Sequence, residues 1–368
     1  MPANEGCSGT SGTKTLTLAA AGGFANNDLI LIHQTRGTGA GTWQLNKIVS
    51  GATTTTLTLK YDLTNTYTDS GASQAQCIEL NQYKDLTTGA ITAPAWNGSK
   101  GGIIAFFDKG DCVIGGTITA TGKGYLAGLA GGSGNNQGGI VCNGGGGEGA
   151  VKNQARSDPA YNAAIGNAGR GGEFSGTTVA NGRSGGGGGG ANGANGTAGT
   201  AYAGTGGTNG GYGGTADGNV SLTDMVMGGG GGGGGGTFGG GGSAGGAGGG
   251  IVIIISNTIT ITGAIVTGGN NGAAEGGNWE ASGGGGAGGS VLFKAITATL
   301  GTTKTTAPAG TYGADSAGGN HGGAGSVGRI HLDYSKSYTG TTSPTIDVTL
   351  DTTIKAGGPN FFAFFQFL

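Results

Sequence analysis

Two pairs of closely spaced carboxylates come nearest to a catalytic arrangement in this sequence. Asp108 lies close to Asp111, and Glu275 lies close to Glu280. Many glycosidases use two carboxyl groups as acid and base or as acid and nucleophile. Proximity in the chain is the sole support for either pair. We therefore interpret both as solvated loop acids, which leaves polysaccharide hydrolysis as the weakest function considered.

The histidines and the glycine–lysine stretches provide no further catalytic motif. His33 and His331 lie in apolar runs that predict strands, whereas His321 lies in a predicted loop where a ligand role is the minor alternative. A phosphate-binding P-loop needs Gly-x4-Gly-Lys followed by Ser or Thr, and neither Gly12-Thr13-Lys14 nor Gly122-Lys123-Gly124 fits. The sequence therefore predicts no enzyme, no cofactor and no metal site.

Cysteine spacing argues against zinc binding. Cys7, Cys77, Cys112 and Cys142 are too widely separated for a Cys-x2-Cys metal or redox motif. Two disulfides and four buried thiols are equal alternatives on this evidence. A Cys112–Cys142 bridge would close the start of the glycine-rich part of the chain, as suits a protein in an oxidising compartment.

Glycine dominates the composition and restricts the fold class. Of 368 residues 95 are Gly, about a quarter against a usual ~7%. Hydrophobic residues make up 35% and charged residues 10%. Each Gly inside a helix or strand costs ~0.5–1 kcal/mol relative to Ala, which argues against a helical or α/β enzyme. Clustered glycines and only six prolines exclude collagen, and β-branched runs such as Ile251–Ile255 argue against disorder.

Charge and hydropathy exclude two classes of partner. The formal net charge is −2, and no Lys or Arg occurs from Ser184 to Phe293, so neither nucleic acid nor an anionic membrane is expected to bind. No apolar run approaches the ~18 residues of a membrane-spanning helix. The first residues lack a signal-peptide pattern. We expect an extracellular, cell-surface or virion protein that is exported by another route, trimmed, or released without a secretion signal.

Residues 1–100 predict a small β domain that serves attachment or assembly. Convincing helical periodicity appears nowhere in the chain, and the expected fold class is all-β with essentially no α-helix. Short β-branched or alternating runs occupy 15–18, 29–33, 43–49, 55–59 and 76–80.

An internal repeat organises residues 101–340. Each copy contains an initial glycine, an apolar strand, a turn glycine and a second strand rich in Thr and Ile. Because such a strand pair cannot bury its own apolar face, the copies are expected to stack as a β-solenoid or sandwich. From initial to turn glycine, the four copies cover 102–116, 250–263, 289–301 and 328–340.

Glycine-rich excursions separate the copies, over 122–249, 268–289 and 310–328. They combine pure runs such as Gly228–Gly236 with stretches in which glycine recurs every third residue, as between 190 and 213. A period of three matches the polyproline-II-type helix, whose backbone groups can bond to neighbours if no side chain intervenes. We expect a bundle of polyglycine-II helices, with 228–236 in its centre and 190–213 nearer its edge.

These glycine blocks and the variable segments between them resemble the glycine-rich adhesins at the tips of long tail fibres of T-even-type phages. The strand units also resemble those of glycine-rich bacterial surface proteins. The resemblance covers about residues 122–330. The likeness to the phage adhesins implies a sandwich of polyglycine-II helices whose variable segments bind a receptor. The β domain at residues 1–100 and the strand repeats between the glycine blocks depart from that family.

Large side chains within the excursions are the candidate receptor contacts, because aromatic residues on loops of a rigid scaffold are favoured binding anchors. The alternative, weighed equally, is that several of them cap the edges of the bundle. The candidates are Tyr161, Phe174, Tyr202, Tyr212, Met225, Met227, Phe238 and Trp279.

Residues 341–368 are expected to contribute a strand and a phenylalanine-rich docking segment. The segment is too short to span a membrane and would promote aggregation if exposed. We expect it to be buried in the β domain of its own chain or docked in a partner. Its apolar residues are Phe361, Phe362, Phe364, Phe365, Phe367 and Leu368.

The combined interpretation is a non-enzymatic fibre or adhesion protein whose rigid scaffold presents variable loops to a cell-surface glycan or outer-membrane protein. A first alternative is a subunit that self-assembles into an extracellular filament or matrix, with the phenylalanine-rich segment as the plug between subunits. A second alternative is an ice-binding protein, because a flat polyglycine-II bundle with a regular face of small residues would suit ordered water. Thr197, Thr200, Thr205 and Thr208 suggest such a face, although their spacing is irregular.

Overall fold

The computed structural model describes residues 2–132, 142–150, 166–175, 183–201, 209–237, 240–275, 280–314 and 320–354. These residues form strands, turns and extended segments, and no helix occurs among them. The expected all-β class is therefore confirmed for the part of the chain that the structure describes.

Six strands near the start of the chain close into a barrel: β1 (Asn4–Ser8), β2 (Thr15–Leu18), β3 (Leu29–Arg36), β4 (Trp43–Ser50), β5 (Thr56–Leu59) and β6 (Gln74–Tyr83). The order β1-β2-β5-β4-β3-β6 returns to β1, because β1 pairs with both β2 and β6. In β2 the buried Leu16 and Leu18 alternate with exposed threonines, as expected for a strand with one inward face. Closure removes the free edges that such a sheet would otherwise expose.

Eleven further strands are described: β7 (Thr87–Thr88), β8 (Ile91–Thr92), β9 (Ile103–Ile114), β10 (Thr117–Thr119), β11 (Phe174–Ser175), β12 (Arg183–Ser184), β13 (Ile251–Ile261), β14 (Ala264–Val266), β15 (Ser290–Thr306), β16 (Arg329–Ser343) and β17 (Asp347–Leu350). β9, β13, β15, β16 and β17 lie side by side as a parallel sheet. Its register aligns the residues that follow the initial glycines of the four sequence copies, which are Ile103, Ile251, Ser290 and Arg329.

A second parallel layer consists of β8, β10, β14 and the end of β15. Side chains from both layers share one apolar cluster, in which Ile104 and Ile254 of the first layer join Ile118 and Ile265 of the second. The strands of the two layers therefore bury apolar side chains against each other.

The opposite face of the first layer packs on the barrel. Ile103 and Ile253 belong to a second apolar cluster, which also contains Leu31 of β3 and Ile78 of β6. Both faces of β13 are thus buried, which explains why its sequence is uninterruptedly apolar from Ile251 to Ile255.

Twelve glycine-rich segments, together called the glycine bundle, are joined laterally by backbone hydrogen bonds. For example, Gly128 N donates to Gly231 O at 2.9 Å, and Gly231 N donates to Gly246 O at 2.8 Å. Among the described residues the segments are 123–132, 142–149, 166–173, 185–192, 193–201, 209–216, 225–237, 240–250, 267–275, 280–289, 307–314 and 320–328.

Three inner segments, 185–192, 225–237 and 280–289, each bond to six others, and the remaining nine surround them. Within 225–237 the backbone N–H groups of successive residues point to different neighbouring segments, and the direction repeats every third residue. Gly228, Gly229 and Gly230 donate to three different segments, and Gly231 returns to the first. Every residue of 228–236 is buried, so the expectation that this run lies in the centre is confirmed.

Backbone packing around the central glycines of the bundle leaves no room for a side chain. A Cβ added to Gly232 would lie 1.8 Å from the carbonyl oxygen of Arg170, well inside any real contact distance. The outer segment 193–201 bonds to three neighbours and keeps glycine at every third position. The edge position expected for 190–213 therefore holds for its described residues from 193 onward, whereas Gly190 belongs to an inner segment.

Buried polar contacts fix the glycine bundle to the barrel. Arg36 at the end of β3 forms an ion pair with Glu148, and Trp96 Nε1 donates to Glu148 Oε2 at 2.8 Å. The Tyr125 hydroxyl donates to the carbonyl oxygen of Thr35. These contacts hold the bundle, and the side chains on its surface, in a defined position relative to the strands.

Candidate binding surface

Six pairs of described residues lie at the end of the bundle remote from the parallel sheet, here called the bundle tip, and the six stretches between them, which the structure does not describe, are called the tip connections. Segments 240–250, 280–289 and 320–328 run from this end into β13, β15 and β16. Lateral bonds such as Gly131 N to Gly234 O keep the flanking residues at one level. The described residues that flank the connections are 132 and 142, 175 and 183, 201 and 209, 237 and 240, 275 and 280, and 314 and 320.

Several predicted receptor contacts lie outside the described residues. Tyr202, Phe238 and Trp279 belong to tip connections. Tyr161 belongs to the stretch between residues 150 and 166, and these two flanking residues lie at the opposite end of the bundle. Phe174 begins β11, whose backbone pairs with β12 at the tip. Outside the described residues also lie Thr205, Thr208, Phe361, Phe362, Phe364, Phe365, Phe367 and Leu368.

Met225 and Met227 are not surface residues, which corrects the prediction that they contact a receptor. Both side chains are buried in the apolar cluster between the parallel sheet and the barrel. The segment that carries them passes beneath the sheet, so closely that a Cβ on Gly102 would lie 2.4 Å from Met227 Sδ. Flexible thioethers suit such irregular internal spaces.

Tyr212 is the predicted contact that the structure places on the surface. It lies on the outer segment 209–216, and 55% of the residue is exposed. Its carbonyl oxygen accepts from Arg170 N at 2.9 Å, while Gly211 N donates to Gly186 O at 2.8 Å. The backbone on both sides of the ring is therefore held by the bundle while the ring faces outward.

Tyr312 and His321 form a second aromatic feature, which the sequence analysis did not assign. Their rings stack with centroids 4.5 Å apart and planes inclined by 22°, and 43% of Tyr312 is exposed. Gly310 and Gly313 donate inward to Gly286 and Gly283. The signal was present in the sequence, because an aromatic residue between glycines spaced by three must point out of the bundle.

The segment 193–201 separates these two features. It bonds to 209–216 on one side and to 320–328 on the other. Thr197 and Thr200 lie on it, and their hydroxyls donate to Ala324 O at 3.2 Å and to His321 O at 3.0 Å. Tyr212 and the Tyr312–His321 stack thus lie on one continuous, almost uncharged outer surface that is suited to apolar and aromatic contacts.

Asp108, of the first carboxylate pair, has a structural role. Asp108 is fully buried and accepts backbone N–H bonds from Asp85, Leu86 and Gly110 at 3.1, 2.6 and 2.7 Å, so it stabilises a turn. Asp111 is exposed. Glu275 and Glu280 flank residues that are not described. No group of His, Cys, Asp or Glu able to hold a metal ion occurs in the described part of the chain.

Two histidines have structural partners inside strands. His33 of β3 is buried between Thr35 Oγ1 at 2.9 Å and Met225 O at 2.8 Å. His331 of β16 is buried between Asp347 Oδ2 at 2.7 Å and Asp333 Oδ1 at 3.0 Å. Both act as predicted strand residues rather than as an accessible catalytic group.

All four cysteines are buried and reduced, so the Cys112–Cys142 bridge is not formed and the alternative of four buried thiols describes this structure. Burial, together with the nearby Asp108 carboxylate, raises the pKa of the Cys112 thiol to about 12. A thiol with so high a pKa is a poor nucleophile at neutral pH.

Comparison of the chain with protein-family models, curated proteins and solved structures gives no match in any of the three. No helix among the described residues is long and apolar enough to cross a membrane.

Proposed function

We propose that this chain is a non-enzymatic adhesion protein, displayed on a cell surface, a virion or outside the cell. In this proposal the glycine bundle is a rigid support that presents surface side chains and tip connections to a cell-surface glycan or outer-membrane protein. The observation that carries it is the period-three lattice of backbone hydrogen bonds, because a lattice bonded in six directions holds outward side chains in fixed positions.

The proposal includes a finer interpretation of the fold. We interpret the bundle segments as polyglycine-II helices, which the rotating donors of 228–236 support, together with φ angles at these glycines outside the left-handed region. We interpret the strand copies as a short β-solenoid. The in-register pairing of β9, β13, β15 and β16 supports that interpretation.

The proposed receptor contacts in the described residues are Tyr212 and the Tyr312–His321 stack. Exposed aromatic rings with fixed backbones supply large contact areas at a low entropic cost. The surrounding segments from Ser184 to Phe293 contain no Lys or Arg, so shape and ring contacts rather than charge are expected to determine affinity.

A double variant, Tyr212→Ala with Tyr312→Ala, tests the proposal. Wild-type chain is applied to arrays of bacterial surface glycans and to intact bacterial cells, and any retained protein is titrated. We expect the double variant to bind at least tenfold more weakly, and Leu350→Ala, which removes a side chain that is 59% exposed on β17, to bind like wild type. Absence of wild-type binding, or equal binding by the double variant, would overturn the proposal.

Assembly into an extracellular filament is the second candidate function, favoured by an open apolar cavity beside β9. Ice binding has weaker support, because the Thr197 and Thr200 hydroxyls donate to neighbouring backbone carbonyls. A thermal hysteresis measurement on the purified chain separates ice binding from the other two functions.

A further inference from the structure

A cavity of about 620 Å³ opens between the barrel and the first strand of the parallel sheet. Ile78 and Tyr83 of β6 line one side, and Ile104 and Phe106 of β9 line another. The Tyr83 and Phe106 rings meet edge to face with centroids 6.1 Å apart. A cavity of this size lies within the range of ~300–1,000 Å³ that is usual for binding sites.

The cavity exposes one end of the main apolar core. Ile104 and Phe106 belong to the cluster between the two parallel layers, and Leu86 and Ile91 pack against the same cluster. The ladder between β6 and β9 covers only residues 81–83 on the β6 side. Stacked repeats need a cover over each terminal face, and here the chain between β6 and β9 leaves that cover incomplete.

The sequence contains a segment whose chemistry matches this opening. Residues 361–368 include five Phe and one Leu and carry no charged side chain. Phenylalanine rings are suited to fill a desolvated pocket and to meet other rings edge to face. Such a segment therefore matches the apolar part of the lining, which consists of isoleucines, a leucine and two aromatic rings, whereas Asn4, Asn81, Asn97 and Lys100 are among the polar residues that line the remainder.

The described chain ends at Ile354, shortly after β17. β17 and β9 are the two outermost of the five parallel strands, so four spacings of ~4.8 Å separate them, about 19 Å in all. The seven residue steps from Ile354 to Phe361 span at most about 25 Å. The straight line between these two strands runs through the parallel sheet, whose two faces are buried against the second layer and the barrel. A path to the cavity of the same chain must therefore go around the sheet and is longer than this separation, which favours the cavity of another molecule.

We propose that residues 361–368 of one copy dock in the cavity beside β9 of a second copy. The contact is heterologous, because each copy offers one cavity and one segment, and repetition of such a contact produces open chains unless the rotation closes a ring. The inference concerns assembly alone and does not depend on receptor binding.

Two full-length variants each remove one half of this contact. Gly89→Trp fills the cavity, since Gly89 lines it and a Cβ at this position meets nothing within 4 Å. Phe362→Asp with Phe365→Asp puts charges on the docking segment and leaves the cavity intact. Sedimentation velocity over a concentration series is measured for wild type, for each variant and for an equimolar mixture of the two.

We expect wild type to form oligomers that grow with concentration and each variant alone to stay monomeric. The mixture should form a heterodimer that grows no further, because the intact segment of one variant meets the intact cavity of the other. A wild-type chain that stays monomeric throughout the series, or two variants that fail to associate when mixed, would overturn the proposal.

Matched controls separate docking from general effects of substitution. Thr53→Trp adds the same ring at an exposed barrel residue, and Thr352→Asp with Thr353→Asp adds the same charges at exposed residues after β17. Both should assemble like wild type. Circular dichroism and thermal midpoints within a few degrees of wild type establish that every variant is folded.

Discussion

The guanidinium of Arg36 and the carboxylate of Glu148 form an ion pair between the barrel and the glycine bundle, with side-chain exposures of 3% and 2%. The partners also bond elsewhere, since Trp96 Nε1 donates to Glu148 Oε2 at 2.8 Å and Arg36 Nε donates to Ala72 O at 3.1 Å. Each charge has left water, so each depends on the other. The barrel and the bundle are therefore joined by an ion pair in which each part supplies one buried charge, and neither charge is neutralised without the other part.

Loss of one partner of this pair should be costly. We expect Glu148→Gln or Arg36→Met alone to lower the free energy of unfolding by about 3–5 kcal/mol, because a buried charge stays uncompensated. The double variant should lose clearly less than the sum of the two. Urea unfolding of the four chains measures this, and strictly additive losses would show that the pair does not act as a unit.

Substitution of a central bundle glycine tests the backbone packing directly. Gly232→Ala places a Cβ 1.8 Å from Arg170 O, so the segments must separate, and we expect a loss of ~1–3 kcal/mol or more. Gly89→Ala is the matched control, because its Cβ meets nothing within 4 Å and its φ lies outside the left-handed region. The control should gain ~0.4–1 kcal/mol. Equal thermal midpoints for both variants would contradict the packing described for the bundle.

The central place of 228–236 could be predicted from sequence because its packing needs no side chain. Once backbone meets backbone on every side, glycine is required at every position, and a segment with fewer neighbours needs it less often. Glycine is uninterrupted over 228–236, which bonds to segments on all sides, and occurs at every third position at Gly193, Gly196 and Gly199 of an outer segment. The frequency of glycine in a segment therefore indicates how many neighbouring segments it contacts.

Contacts that depend on distant side chains could not be predicted. Met225 and Met227 lie in a glycine-rich stretch that suggests exposure, yet they are buried because that stretch passes beneath the sheet. Barrel closure between β1 and β6, and the pairing of Arg36 with Glu148, join residues whose sequence separation carries no local signal. The outward position of Tyr312, by contrast, is encoded locally, because Gly310 and Gly313 on either side of it both face the bundle.

His33 should make the folded chain sensitive to mild acid. The carbonyl oxygen of Met225 can only accept, so the His33 Nε2–H donates to it at 2.8 Å. In the neutral ring Nδ1 then accepts from the Thr35 hydroxyl at 2.9 Å, and that hydroxyl oxygen itself accepts from Gln76 Nε2 at 2.8 Å. Burial lowers the pKa of His33 from 6.5 to about 4, although the bond to Met225 opposes the change. The neutral ring is thus the form that the fold accommodates.

The sign of the pH dependence follows from this lowered pKa. Between pH 6.5 and 4 the unfolded chain binds a proton at His33 that the folded chain does not, so stability falls as the pH falls across this window, by about 3 kcal/mol at most. We expect His33→Gln, whose amide can still donate to Met225 O, to reduce that decline. Unfolding free energies measured at half-unit steps of pH test this, and parallel curves for wild type and variant would contradict it.

Asp333 should also make the fold less stable in acid, because its pKa too is lower in the folded chain than its ordinary value. Burial alone would raise the pKa of Asp333. Hydrogen bonds from His331 and Lys294, together with the charges of these two residues, lower it by more, so the pKa lies below its ordinary value of 3.8. The ionised carboxylate therefore stabilises the fold above pH ~4, and this contribution is lost as the pH falls through the folded pKa. Asp333→Asn removes the ion pair with the buried Lys294 and should cost about 3 kcal/mol at pH 7. The difference from wild type should shrink below pH ~4 as the wild-type carboxylate is protonated.

Asp62→Asn is the matched control. It removes the same charge at an exposed residue and should stay within ~0.5 kcal/mol of wild type. A cost for Asp333→Asn that is equally small at pH 7 would show that the Lys294–Asp333 pair does not stabilise this edge of the sheet.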